Sequence, residues 1–473
     1  MLHAFFAAAL LAVASAPTPA ASAAPALPDY PALMKAAKVP GMQVLVIRDG
    51  AVASNTSYGV RDIGTNAPVD ENTHFEIGSI TKQFTAAAIL QLRDAGKLSL
   101  DDKLGKYFPQ YARAKDITLR QMLLQISGIP DFTDVKPFGA MIKKVSGRYI
   151  VTKHGSLAGV IALIKNMPLD FKPGTKWEYS NSNYFLLGEV VAKVAKMPWE
   201  QYIAQNIFAK AGMTQSAFMK DEPHIADMAT GYVIENGKDV PGGNFNGWAE
   251  GAGGIVSTAS DMAKWDLAFF GGKVIPAQDV ALATSPGALP AMGKSHYGFG
   301  WLVDTYDGQS RLWHNGGTLG FNASLQTYPA LGQTIIVLSS AGLGADSIAQ
   351  TTFDALHPDL AAANAKPAVG EDAAITARIK TIYAQLLSGK PDRSQFNDAA
   401  NKAFTPQIIA AADAQLGQLG DPTSWVFKAK RTQGGLTAYR YRVTYASGTV
   451  LSIVMAIDKD NKVAAYFFTA ASD

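Results

Sequence analysis

The sequence predicts a mixed α/β fold: an antiparallel sheet flanked by helices, with a helical lobe beside it and a small C-terminal α+β domain. Three observations predict it. Strand patterns stand near both ends of residues 24–358 with helical patterns between them, so one sheet is assembled from the two ends and the middle forms the lobe. The stretch Asp359 to Gly370 (DLAAANAKPAVG) then reads as a linker. Beyond it, two helical patterns lead into four alternating strands. Four segments are therefore expected: a signal peptide over 1–23, a main domain over 24–358, a linker over 359–371 and an accessory domain over 372–473.

The elements follow in chain order. Ala4 to Ala16 (AFFAAALLAVASA) is an apolar run too short to span a bilayer, and Ala21-Ser22-Ala23 fits a small-residue cleavage pattern. Only the terminal amine and His3 supply positive charge ahead of it. Export, to the periplasm or outside the cell, is the expectation, with no stable membrane span elsewhere. After a Pro/Ala spacer, Met42–Ile47 reads as a strand, Asp49-Gly50 as its turn and Ala51–Val60 as the returning strand. Phe75–Gly78 leads into a helix over Ile80–Ala95 that Gly96 ends. Further helices are expected at Leu119–Ile126, Tyr184–Lys196, Trp199–Ala211 and Ser260–Phe270. Strands return at Phe299–Asp304, Leu312–His314, Phe321–Tyr328 and Gln333–Ser339, with a helix near Ala345–Leu356. In the accessory domain, Ala373–Leu387 and Pro406–Leu416 are helical, and Trp425–Arg431, Leu436–Tyr445, Thr449–Ile457 and Val463–Phe468 are strands.

Composition narrows the chemistry. The chain has 473 residues, 48% hydrophobic and 17% charged, enough apolar material for a large core. Its 42 basic and 39 acidic side chains nearly cancel, and no domain-scale basic patch is readable, which argues against nucleic acid as a partner. The absence of cysteine excludes thiolate catalysis, iron–sulfur clusters, Cys-ligated zinc and disulfides. No P-loop, G-x-G-x-x-G, H-E-x-x-H or G-x-S-x-G occurs, so no metal and no organic cofactor is expected.

Three short patterns carry chemistry. Ser79-Ile80-Thr81-Lys82 is the only S-x-x-K, placed where a helix begins, with Ser79 and Lys82 one turn apart on one face. The helix dipole favours a developing alkoxide there, and a buried lysine beside it can lose its proton near neutral pH and act as base. The same residues also fit an N-cap serine and a solvated lysine. Tyr179-Ser180-Asn181 is the only Y-x-N. Its tyrosine could act as general base or proton relay, and its asparagine could bond the lysine and a substrate amide, although a polar loop capping the next helix reads the same way. Trp313-His314-Asn315-Gly316-Gly317 places a histidine on an edge strand facing a cleft, beside glycines whose N–H groups lie open to an oxyanion. His296-Tyr297-Gly298 offers a rival H-x-G, and the double glycine and following strand favour His314.

In this order, the chain resembles the serine β-lactamase and penicillin-binding-protein superfamily, specifically its class C-like branch of β-lactamases, D-aminopeptidases, DD-carboxypeptidases and family VIII-type esterases. The surrounding residues match as well: Phe75 to Phe84 (FEIGSITKQF), Leu123-Leu124 to Ser127-Gly128-Ile129-Pro130-Asp131, Phe171-x-Pro173-Gly174, Gly253 to Thr258 (GGIVST) with Asp261, and Tyr297 to Trp301 (YGFGW). The resemblance covers Tyr30 to Pro358 and implies a β-lactamase/transpeptidase-like fold.

It also implies a two-step acyl transfer to and from Ser79, with Lys82 and Tyr179 sharing base and relay work. Asn181 would orient Lys82 and the substrate amide, and the oxyanion would sit between the N–H groups of Ser79 and Gly317, next to Gly316. His314 stands where class C β-lactamases carry a lysine. A neutral histidine lacks the charge that grips a β-lactam carboxylate. The expected activity is therefore hydrolysis of an amide or ester in a small molecule or peptide, cell-wall derived among the candidates, peptidase- or esterase-like rather than that of an efficient β-lactamase. A non-catalytic penicillin- or cell-wall-peptide-binding protein is the alternative. The accessory domain resembles small NTF2-like or cystatin-like domains in pattern only and carries no catalytic motif. No heptad repeat or interface helix is readable, which leaves the oligomeric state open.

Overall fold

The apolar runs at the two ends of the main domain become neighbouring strands of one sheet. In the computed structural model, which describes residues 27–235, 238–291, 295–341 and 344–470, eight strands pair side by side. They are β1 (Gly41–Arg48), β2 (Ala51–Asp62), β3 (Ala67–Pro68), β4 (His296–Tyr297), β5 (Leu302–Tyr306), β6 (Gln309–Gly317), β7 (Asn322–Tyr328) and β8 (Gln333–Ser339). Their order is β4-β5-β6-β7-β8-β1-β2-β3, and each neighbouring pair is antiparallel. The two ends of the domain join where Met42 faces Ser339 and Arg48 faces Gln333. The expected signal peptide lies outside the described residues.

Alternation along β1 and β8 serves two cores. Val44, Val46, Ile335 and Val337 face α1 (Tyr30–Ala37) and α5 (Ala345–Leu356), packing with Tyr30, Ile348 and Phe353. Leu45, Ile47, Ile336 and Leu338 face the larger core, which holds α2 (Thr81–Asp94), α3 (Asn181–Ala195) and α4 (Ala259–Phe270). Burial on both faces is why these strands read as continuous apolar runs. The helix α1 falls where a Pro/Ala spacer was expected. Asp29 accepts a bond from Ala32 N at 3.0 Å and Pro31 occupies the first turn, so a short polar signal starts a helix that Tyr30 and Met34 anchor.

Other boundaries differ for identifiable reasons. The strand expected from Phe299 begins at Leu302, because Gly300 (φ +79°) passes so close to α2 that a Cβ would lie 2.8 Å from Gln83 N. The helix expected over Trp199–Ala211 is interrupted by a π turn at Ala204–Phe208. The expected linker 359–371 opens as a helix, α6 (Pro358–Asn364), with Pro358 in its first turn. Asn364 bonds the Asp307 carboxylate, and Lys428 Nζ donates to Asn364 O at 2.9 Å.

In the C-terminal domain, β9 (Pro422–Gln433), β10 (Leu436–Tyr445), β11 (Val450–Ile457) and β12 (Val463–Ala470) form an antiparallel sheet in sequence order. It packs on α7 (Ala373–Leu387) and α8 (Pro406–Leu416), around Ile379, Ile382, Tyr441, Val443, Ile453 and Met455. The domain docks on the main sheet through Arg442, which donates to Asp307 Oδ1 and the Tyr306 hydroxyl, both at 3.0 Å. Ser347 Oγ meets Thr449 Oγ1 at 2.8 Å beside it.

Candidate active site

Ser79 owes its position to two backbones pressed together. The short strand Phe75–Glu76 pairs with Ile255–Ser257, and Ile77 N donates to Ile255 O at 3.1 Å. The chain then turns through Gly78 (φ +49°) into a single 3₁₀ turn, Gly78–Ile80, ahead of α2. The end of β6 lies against this turn. A Cβ on Gly316 would fall 1.9 Å from Ile77 O and 3.0 Å from Ser79 N, and one on Gly78 would fall 2.8 Å from Gly317 N. Only glycine permits that approach, which sets the N–H groups of Ser79 and Gly317 next to each other.

Neither of the ordinary readings of the Ser–Lys pair holds. No side chain caps the 3₁₀ turn or α2, so Ser79 is not an N-cap. Lys82 is 0% exposed. Its Nζ donates to Ser79 Oγ at 2.9 Å, to Asn181 Oδ1 at 2.9 Å and to Ala252 O at 2.7 Å, using all three ammonium protons. Burial lowers its pKa to about 7, against a smaller upward pull from Asp131. The amine therefore exchanges its proton near neutrality.

Tyr179 stands over this lysine, its ring centroid 4.8 Å from Nζ. Burial pushes the phenol well above its ordinary range; the Ser79 hydroxyl pulls the other way and the Asp131 charge adds to the rise. Tyr179 therefore keeps its proton at neutral pH. The two environments push the amine down and the phenol up, separating a base from an acid.

His314 departs from its expected setting. Strand β6 is third in the sheet rather than an edge, and His314 is 1% exposed. Its Nδ1 bonds Asn315 O at 2.6 Å and its Nε2 meets the Tyr297 hydroxyl at 3.0 Å. A carbonyl only accepts, so Nδ1 carries the proton and Nε2 accepts from the tyrosine. Burial, reinforced by the Lys82 charge, lowers its pKa to about 3. Both ring nitrogens are thus used inside the protein, and the imidazole backs Tyr179 at a ring separation of 6.1 Å. The rival His296 bonds Gly287 O.

The structure thus brings Ser79, Lys82, Tyr179, Asn181, Gly316 and Gly317 together, with His314 beneath them. An open cleft lies above Ser79, walled by Phe132, Phe245, Trp248, Ala252 and Thr318. No charged residue is among the described residues that line it. Asp131 and Tyr297 lie inside matched motifs, yet their contacts with Asn181 and His314 need the fold to be seen. No group of three or more His, Asp or Glu set to hold a metal ion is present among the described residues.

A sheet built from both ends of a domain, with this site at the head of its central helix, defines a family. The chain belongs to the beta-lactamase family, whose model matches residues 30–358. It is 32% identical over 301 residues to PbpX of Bacillus subtilis (strain 168), a proposed penicillin-binding protein, covering 63% of this chain and 69% of that protein. It is 27% identical over 311 residues to protein flp of Staphylococcus aureus (strain MRSA252), spanning 64% of this chain and 60% of flp. Among solved structures it is similar to the penicillin binding protein from Bacillus halodurans, with a TM-score of 0.59 and 26% identity over 70% of this chain and 99% of that one. The octameric penicillin-binding protein homologue from Pyrococcus abyssi shares the fold over 93% of this chain and 97% of its own, with a TM-score of 0.61 and 23% identity.

Proposed function

We propose that the protein is a serine hydrolase that cleaves an amide or ester through an acyl-Ser79 intermediate, acting as a peptidase or esterase rather than an efficient β-lactamase. The observation that carries this reading is the buried Lys82 amine, 2.9 Å from Ser79 Oγ and able to be neutral near pH 7. When neutral, Lys82 spends its two N–H groups on Ala252 O and Asn181 Oδ1. Its lone pair then points at Ser79, and only that third bond can reverse direction.

Ser79 Oγ attacks the carbonyl carbon as its proton passes to Lys82, and the oxyanion forms against the N–H groups of Ser79 and Gly317. The Tyr179 phenol gives its proton to the departing nitrogen or oxygen and recovers one from the Lys82 ammonium. The amine or alcohol leaves and acyl-Ser79 remains. Water then attacks the acyl carbon and yields a proton to the same pair; Ser79 regains a proton and the carboxylic acid departs. No carboxylate lines the described cleft, so water activation falls to Lys82 and Tyr179.

The substrate preference rests on charge. His314 is buried and neutral, and the described cleft walls carry three aromatic rings and no charged side chain. Such a site suits an uncharged acyl group better than a β-lactam carboxylate. The test is kcat/KM on a short-chain nitrophenyl ester, a D-amino-acid amide and a chromogenic cephalosporin. Ester or amide turnover should fall by at least about 10³-fold in Ser79→Ala. A cephalosporin value near the diffusional ceiling of about 10⁸ M⁻¹s⁻¹ would contradict the peptidase or esterase reading. Silence on all three, with penicillin still bound, would make the protein a binder.

A further inference from the structure

We propose that Asp131 is a positioning residue that locks the Asn181 amide in the single orientation that leaves the Lys82 lone pair free for Ser79. The inference rests on the hydrolase reading above and goes beyond it, because the bonds of Asp131 run to Asn181 and Thr133 rather than to Ser79 or Lys82.

The loop carrying Asp131 is clamped to the first turn of α3. Ser182 Oγ donates to Pro130 O at 2.6 Å and accepts from Phe132 N at 2.9 Å. Asp131 Oδ2 accepts from both Asn181 N and Asn181 Nδ2, each at 2.9 Å. Its Oδ1 accepts from the N–H and hydroxyl of Thr133, both at 2.8 Å. Ser180, in the N-cap position of α3, makes no side-chain cap bond. A carboxylate from a loop 50 residues away thus does the capping, where the helix dipole favours negative charge.

A carboxylate can only accept. The amide nitrogen of Asn181 must therefore face Asp131, and its oxygen must face Lys82, at 2.9 Å. With the amide turned over, its oxygen would meet the carboxylate and its N–H would point at the amine. That N–H would donate to the lone pair of neutral Lys82 and displace the Ser79 proton from it. Orientation of one amide therefore decides whether the lysine can serve as base.

The arrangement also predicts a charge effect. Lys82 is faced by Tyr179 and Tyr184, with ring centroids at 4.8 and 5.8 Å, by Ser79 and Asn181, and by neutral His314 across the site. Asp131 is the anion in this group, and its charge opposes the fall in lysine pKa that burial causes. Removing it should make the amine easier to deprotonate.

The test compares Asp131→Asn, Asp131→Ala and Ser79→Ala in the full-length protein, by the pH profile of kcat/KM on an ester and by thermal unfolding. Asparagine keeps an oxygen for Asn181 and removes the charge. Its acid limb should move down by about half a pH unit or more, with the plateau within about fivefold of the parent. Alanine releases the amide, so the plateau should fall by about 10-fold or more as well. A plateau in Asp131→Ala equal to the parent's, or one in Asp131→Asn as low as in Asp131→Ala, overturns the proposal, and an acid limb unmoved in Asp131→Asn overturns the charge effect, because a merely structural role would lower the plateau and melting temperature alone. Activity that persists in Ser79→Ala instead overturns the hydrolase reading, so the two failures are distinguishable.

Discussion

What surrounds Lys82 fits it to the role of base proposed for it. Buried and held by two oxygens that can only accept, it has one bond free to reverse, and that bond points at Ser79. The pH dependence follows. Below about pH 7 the amine is protonated and its lone pair is gone, so kcat/KM should rise as pH increases through about 7 and then level off. Lys82→Arg, protonated at every accessible pH, should lose about 10²–10⁴-fold with no recovery at high pH. A flat profile from pH 5 to 9 would mean that another group takes the Ser79 proton. At this scale the sequence was informative wherever spacing places groups on one helical turn: Ser79 and Lys82 were legible from three intervening bonds along a helix. The partnerships of Asp131 with Asn181 and of His314 with Tyr297 were not, since each joins residues that only folding brings together. His314 was read as facing a cleft because its glycines suggested an edge, whereas β6 has a neighbour on both sides.

At the scale of elements, the site is a junction between a turn and a strand end. Gly78 supplies the positive φ that starts the turn, and Gly316 gives β6 the closeness that carries Gly317 to Ser79. Gly316→Ala would put a methyl carbon 1.9 Å from Ile77 O, where the obstacle is backbone and cannot swing away. Overpacking of this kind costs about 1–3 kcal/mol. The variant should melt lower and lose more than about 10-fold in turnover, because relief means parting β6 from the Ser79 turn. A variant with parental melting temperature and rate would show that the contact is not needed. Elements with strong patterns were legible, β1, β8 and α2 among them. Elements held by caps or contacts were not. The helix α1 depends on Asp29 and on Tyr30 docking, and the hairpin Ile142–Val145 with Arg148–Val151 has strands of only four residues each, with little length in which a pattern can repeat.

At the scale of the whole molecule, the main and C-terminal domains meet through a polar seam. Arg442 reaches from the C-terminal sheet to Asp307, which is 5% exposed, and lies 3.6 Å from Asp354. Arg442→Ala leaves those carboxylates without their cation, a loss of about 3 kcal/mol or more when such a pair is buried. The C-terminal domain should then unfold in an earlier, separate transition, while turnover at Ser79 stays at the parental rate. A single transition at the parental temperature would show that the seam contributes little. The composition foretold this organisation, two helical patterns and four strands after a Pro/Ala stretch, but not the docking, which rests on single side chains such as Arg442 and Asn364.

The central claim is that Ser79 carries the acyl group. It is tested most directly by mixing the protein with an activated nitrophenyl ester, quenching with acid within the first turnovers, and mapping the acylated peptide by mass. The account predicts one acyl group, on Ser79, absent from Ser79→Ala and slow to form in Lys82→Arg. Acylation of another residue, or undiminished ester turnover in Ser79→Ala, would contradict it.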